Sequence, residues 1–234
     1  MSRIVDTTLN TTFKQEVFPD TTMCIDEEFE KIIRTEVDTF KCLANYLKAY
    51  SLLQEKHLEQ LKSELWDPYS QNVPMPEELD LSRYLEIEVF YPMTLRESLF
   101  MASFSHFESI VNEICEKIGD ARKFSVGLYD LKDRGVRRAY NYLTKVVGLS
   151  VSSASWSSVK FLNELRNLIV HNNSKVEAKN NKHQGLRNTA EKWPTIDVPE
   201  DGRMKFHSEF NGNALDVFLD FFDQLEKNNV RSLQ

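Results

Sequence analysis

The chain has 234 residues, 41% of them hydrophobic, and a net charge of −7, so it is long enough for one large domain with a real core. Only 7 Gly and 7 Pro are present, which argues against a sandwich or barrel and predicts a mostly helical fold. No run of about 18 apolar residues occurs, so we expect no membrane span. The N-terminus lacks the apolar core of a signal peptide, and we expect a cytoplasmic protein.

The three cysteines, Cys24, Cys42 and Cys115, are odd in number and show no paired spacing. They are typical of reduced thiols, not of a disulfide framework or a zinc site. No His, Asp and Glu cluster has metal-ligand spacing either. We therefore expect neither a metal nor another cofactor.

Charge is unevenly distributed along the chain. Residues 1–100 hold 10 Lys and Arg against 19 Asp and Glu, whereas residues 101–190 hold 14 against 8. The basic middle includes Arg134, Arg137 and Arg138. A basic surface attracts the phosphates of RNA, although a solvated helix face explains the same cluster equally well.

The first part of the chain divides into three segments. Residues 1–20 are Thr-rich and predict a loose arm or a short strand. Apolar residues at steps of three and four then predict a long acidic amphipathic helix over 26–65, which Asp67-Pro68 should end. Residues 68–92 contain four prolines and predict an irregular connection with a short helix near 77–84. We group 1–93 as an N-terminal unit that packs with the rest as one body.

Four further helices are predicted in the second part, 94–228. A capping box at Thr94 to Glu97 should open the first, and Gly119 should cap its C-terminus. The others are expected near 132–147, around Leu162 and Leu165, and over 213–227. The polar stretch 172–192 predicts an exposed, disordered loop, and Asp201-Gly202 predicts a small β-hairpin before the last helix.

One helix ends in a polar group that suggests chemistry. Asn167 and His171 are four residues apart and therefore share a helix face, with Arg166 on its flank. Arginine provides a permanently charged fork suited to phosphate, and histidine moves protons near neutral pH. The alternative is structural, with an ion pair to Glu164 or a favourable cation at the helix C-terminus.

The helix order, together with Arg166, Asn167 and His171, resembles the HEPN superfamily of helical bundles, whose signature is Arg, then four to six residues, then His. The segment from Phe104 to Glu113 is similar to the helix that packs against the motif helix in that group. The resemblance covers about 94–228. It implies an all-α, HEPN-like up-and-down bundle that the long N-terminal helix precedes in the chain.

Many members of that superfamily are metal-independent endoribonucleases that act as toxins or in phage defence. The resemblance implies this activity here, with RNA as substrate. His171 would be the acid or base, Arg166 would stabilise the phosphate, and Asn167 would orient His171 or bond a phosphate oxygen. It also implies a homodimer through the motif helix, and an antitoxin or defence-system protein as a further partner.

Other residues are weaker candidates for substrate binding. Glu108 and Asn112 lie one turn apart on the preceding helix, and Asn172 follows His171. The basic cluster Arg134, Arg137 and Arg138 completes this set. The rival hypothesis is a non-catalytic HEPN scaffold that binds RNA, a nucleotide or a protein partner, with the acidic first helix as its working surface.

Overall fold

A computed structural model of the chain describes residues 27–70, 85–200 and 202–230. Six α-helices occur in this part of the chain: α1 Glu27–Ser70, α2 Tyr91–Arg122, α3 Gly135–Asn141, α4 Ser153–Asn172, α5 Asn181–Ala190 and α6 Phe210–Val230. Four two-residue strands lie among them: β1 Lys175–Val176, β2 Ile196–Asp197, β3 Gly202–Arg203 and β4 Lys205–Phe206. The prediction of an all-α bundle with a small β-structure before the last helix is confirmed.

The centre of the bundle is a cluster of phenylalanines from α1, α2 and α6. Phe107 of α2 stacks on Phe218 of α6, with ring centroids 4.3 Å apart. Phe40 of α1 packs on Phe222 of α6 at 4.8 Å, and all four rings are fully buried. Each buried aromatic ring removes a large apolar area from water, so this cluster fixes how the three long helices pack.

The predicted start and end of α2 are both wrong. A π-helical turn over Glu86–Phe90 leads directly into α2 at Tyr91 and satisfies backbone N–H groups there, so no side-chain cap is needed. Glu97 instead accepts hydrogen bonds from Ser174 and Arg203. At the other end α2 continues past Gly119 to Arg122, and Lys123 adopts the left-handed conformation (φ 52°) that ends it.

The predicted stop of α1 at Asp67-Pro68 is also wrong, because α1 continues to Ser70. A proline close to the end of a helix disturbs fewer backbone hydrogen bonds than one in the helix interior. The predicted arm over 1–20 and the short helix near 77–84 lie outside the described residues. Within those residues, no helix is both long and apolar enough to span a membrane.

The stretch 172–192 is not the exposed loop that its polar composition predicts. It contains β1 and the ten-residue helix α5, whose His183, Leu186 and Ala190 are buried. The predicted hairpin is divided between two small antiparallel pairs. β2 pairs with β4, whereas Gly202–Arg203 pairs with β1, which follows α4. The β1–β3 pair fixes the segment after α4 to the segment before α6.

Candidate functional site

Helix α4 carries the Arg166, Asn167 and His171 motif at its C-terminal end. The hydroxyl of Ser152 accepts a hydrogen bond from the Ser155 backbone N–H at 3.2 Å and caps the helix start. Asn173, in the left-handed conformation (φ 51°), closes the helix end. The apolar face is buried in the bundle, and this face includes Val159, Leu162, Leu165 and Leu168. The motif residues therefore lie at the edge of the core.

Arg166 and Asn167 are joined directly. Nη1 of Arg166 donates a hydrogen bond to Oδ1 of Asn167 at 3.1 Å. Within the described residues, Arg166 has no carboxylate partner, and the predicted alternative of an ion pair with Glu164 is absent from these contacts. The charge of the guanidinium is thus available to an anion.

Asn167 and His171 form one wall of a groove of about 690 Å³ between α4 and α5. The described side chains that line it are Glu164, Asn167, Leu168, His171 and Asn172 from α4, with Asn180, Asn181, Lys182, His183 and Leu186 facing them, and Gly185 completes the lining. His171 is exposed, so its ring is open to solvent and to a ligand. The groove thus combines an imidazole, several amides and an apolar floor.

His183, which the sequence suggests is a surface residue, is buried under the opposite wall. Its Nδ1 accepts a hydrogen bond from the Glu177 backbone N–H at 2.9 Å. His183 therefore fixes the start of α5 to β1 and leaves His171 as the histidine open to the groove.

Arg187 holds the rest of α5 in place. Its guanidinium donates to three backbone carbonyls, those of Glu177, Pro199 and Glu200, at 3.0, 3.2 and 2.7 Å. Sequence reasoning missed this wall of the groove. A capping residue at Asn180, followed by His183, Leu186 and Ala190 at helical spacing, was the available signal.

Asn172 lines the groove beside His171, whereas Glu108 and Asn112 lie elsewhere. Glu108 lies against Gly135 at the start of α3: a Cβ there would come within 2.9 Å of its carboxylate. Asn112 lines a separate groove with Glu113, Glu116 and others, and its Oδ1 is buried without a hydrogen-bond partner. A role for either residue in substrate binding stays a prediction.

The basic cluster belongs to a different part of the bundle from His171. Tyr140, just beyond the cluster, stacks on Trp156 with ring centroids 3.8 Å apart. Trp156 precedes His171 by 15 residues in the same helix, which places the two about 22 Å apart along its axis. Arg134, Arg137 and Arg138 therefore lie away from the motif along the bundle, and a role for them in RNA binding stays a prediction.

Two of the three arginines in the basic cluster already have partners for their charge. Arg137 pairs with Asp133 at 3.3 Å, and Arg138 lies over the ring of Tyr129 at 4.4 Å. The Tyr129 hydroxyl donates to Glu116 at 2.6 Å, and this bond raises the pKa of the phenol. Arg134 is exposed at the start of α3 and is the freest of the three to meet an anion.

No group of three or more His, Cys, Asp or Glu side chains in the described part of the chain is arranged to hold a metal ion. In comparisons with known proteins, no family model, no curated protein and no solved structure matches this chain.

Proposed function

We propose that this protein is an endoribonuclease of the HEPN type that cleaves RNA by attack of the 2′-hydroxyl, with a role as a toxin or in phage defence. One observation carries the proposal. The Arg166 guanidinium, without a carboxylate partner among the described residues, is bonded to Asn167, which lines the same groove as the exposed His171. A phosphate beside this groove would meet a cation, an amide and a proton-transfer group together.

The chemistry needs no electron donor or metal from outside. A base takes the proton of the 2′-hydroxyl, the 2′-oxygen bonds to phosphorus, and the bond from phosphorus to the 5′-oxygen breaks. An acid gives a proton to that leaving oxygen. His171 serves as base or acid, and Arg166 offsets the extra negative charge on the phosphate oxygens. The products are a 2′,3′-cyclic phosphate and a 5′-hydroxyl.

Two proton-transfer groups are most easily supplied by two chains. His183 is buried with its Nδ1 occupied by a backbone N–H, which makes it a poor second acid or base. A two-fold pairing of α4 helices would instead bring two His171 residues to one cleft. Val170, 48% exposed beside His171, is the apolar residue available for this contact.

The test is cleavage of labelled single-stranded RNA by purified protein in excess EDTA, with end-group analysis of the products. We expect His171→Ala to slow cleavage by about 10²-fold or more, the usual scale for a general acid–base residue. Arg166→Ala should remove charge stabilisation of about 3 kcal/mol. His106→Ala on α2 and Arg34→Ala on α1 are the matched controls, because both residues are exposed and remote in sequence from the motif.

A folded His171→Ala variant that cuts as fast as the parent would remove His171 from the mechanism. If the parent itself cuts no RNA, the alternative is a non-catalytic scaffold that binds RNA, a nucleotide or an antitoxin-like protein partner. In that case the exposed apolar side chains of Tyr46 and Leu53 on α1 favour a protein contact.

A further inference from the structure

The groove between α4 and α5 has a floor and a rim that suit a flat ring with polar edges. Leu168 of α4 and Leu186 of α5 line it and are 6% and 4% exposed, so the floor is apolar. The volume of about 690 Å³ lies within the range of small-molecule sites, about 300–1,000 Å³. A nucleobase has two apolar faces and a polar edge, and therefore matches this combination.

Two amides in the groove are without partners. Asn172 lines it from α4 and Asn181 from α5, and neither side chain forms a hydrogen bond with any residue in the described part of the chain. Asn180 differs, because its Oδ1 accepts from the Lys182 backbone N–H at 3.1 Å and caps α5. A free amide offers both a donor and an acceptor, so Asn172 and Asn181 can bond the polar edge of a base.

Gly185 leaves room above this floor. It lies inside α5, where glycine is a poor helix former. A Cβ at this position would have no neighbour within 4 Å, and the backbone is outside the left-handed region. Neither packing nor backbone conformation therefore requires glycine here. The missing side chain provides open space in the groove that Gly185 lines.

We infer that this groove holds one unpaired base of the RNA, the base next to the phosphate that is cleaved. The inference rests on the proposed ribonuclease function, which assigns that phosphate to Arg166 and His171. Asn172 directly follows His171, so the base and phosphate sites are adjacent. In a duplex the pairing edges of the bases are engaged with each other, and only an unpaired base can offer its edge to the amides. The substrate class is therefore single-stranded RNA or an unpaired loop.

Charge at the rim fits a nucleotide better than an uncharged ring. Lys182 lines the groove from α5, is exposed, and forms no ion pair with another described residue. Arg166 lies beside the groove through its bond to Asn167, and Glu164 is the carboxylate at the rim. Two cations against one carboxylate favour a ligand that carries phosphate beside its base.

Nucleotide binding tests the base site without any cleavage. Calorimetric titration with adenosine 5′-monophosphate and with ribose 5-phosphate compares one phosphate with and without a base. We expect the base to raise the affinity by about tenfold, the scale of one base pairing with an amide. Gly185→Leu fills the groove and should remove this gain. Gly212→Leu is the matched control, because Gly212 also lies in a helix with open space at its Cβ but does not line the groove.

A second variant covers the case in which Gly185→Leu does not fold, which circular dichroism would reveal. Replacing both free amides, Asn172→Leu and Asn181→Leu, leaves the glycine in place and should also remove the gain from the base. Equal affinity of the parent for the two ligands, or an unchanged gain in the folded variants, would overturn the inference.

Cleavage in excess EDTA separates this inference from the proposed activity. The parent should cut single-stranded RNA and spare a duplex of the same sequence, and Gly185→Leu should cut the single strand about tenfold more slowly. If parent and Gly185→Leu cut equally fast, the base site is wrong and the ribonuclease function stands. If the parent binds adenosine 5′-monophosphate through its base but cuts no RNA, the groove is supported as a nucleotide site and the ribonuclease function fails.

Discussion

Arg166 donates a hydrogen bond from Nη1 to Oδ1 of Asn167 at 3.1 Å. Neighbouring residues in a helix point about 100° apart, and this bond connects the guanidinium to Asn167, which shares a helix face with His171. In the proposed mechanism Asn167 positions Arg166, and Asn167 also lines the groove itself.

Substitutions of Asn167 should rank in a defined order in the cleavage assay. Asn167→Ala removes the hydrogen bond to the guanidinium, and we expect cleavage to fall by roughly ten- to a hundredfold, because a hydrogen bond to a charged group is worth about 1.5–3 kcal/mol. Asn167→Asp should be slower still, because a carboxylate would neutralise Arg166 and repel phosphate. Asn45→Ala, exposed on α1, is the control. An Asp variant as active as the parent would contradict this role.

Glu97 should contribute measurably to stability. Its carboxylate accepts from the Ser174 hydroxyl and from Nη2 of Arg203 at 3.1 Å, and its side chain is only 12% exposed. Glu97→Gln removes the charge but keeps the shape, and we expect the free energy of unfolding in urea to fall by about 1–3 kcal/mol. Glu113→Gln, which disrupts an exposed pair with Lys117, should change it by less than about 1 kcal/mol. Equal losses would mean that burial does not matter here.

Gly119 should resist substitution although it lies inside a helix. A Cβ at this position would lie 2.7 Å from the hydroxyl oxygen of the buried Tyr142. We expect Gly119→Ala to lower the free energy of unfolding by about 1–3 kcal/mol, more than helix propensity would return. Adding Tyr142→Phe removes the clashing hydroxyl and should recover part of the loss. Gly185→Ala, with open space at its Cβ, should instead stabilise the protein by up to about 1 kcal/mol.

Cys115 should be inert in the folded protein. Burial, the largest cause, raises the pKa of its thiol well above the ordinary value of 9.0. At pH 8 we expect iodoacetamide to label the exposed Cys42 and to reach Cys115 only after denaturation. Rapid labelling of Cys115 in the native protein would contradict this burial.

The same shift gives a pH dependence with a definite sign. The raised folded pKa means that the stability from Cys115 is complete below the unfolded pKa near 9.0 and is lost as pH rises above it. Above pH 9, the free energy of unfolding of the parent should therefore fall by about 1.4 kcal/mol per pH unit relative to that of Cys115→Ala. Parallel stability curves for the two proteins would contradict the prediction.

The sequence by itself determined the helical class and the faces of the long helices, because apolar spacing is a local property. It predicted α1 at 26–65 against the observed Glu27–Ser70, and α6 at 213–227 against Phe210–Val230. The sequence also predicts that Asn167 and His171 share one helix face, because four residues make about one turn of any α-helix. These statements require only the chain's own periodicity.

Only the tertiary structure decided what faces the motif. Helix α5 has a polar composition that predicts a loop. It is held in place by Arg187 and His183, which both form hydrogen bonds with the backbone of Glu177. Likewise, Glu97 matches a capping pattern, but its carboxylate accepts hydrogen bonds from Ser174 and Arg203, which are distant in sequence. Contacts between distant residues overrule weak local preferences, so the motif could be predicted from the sequence but the groove beside it could not.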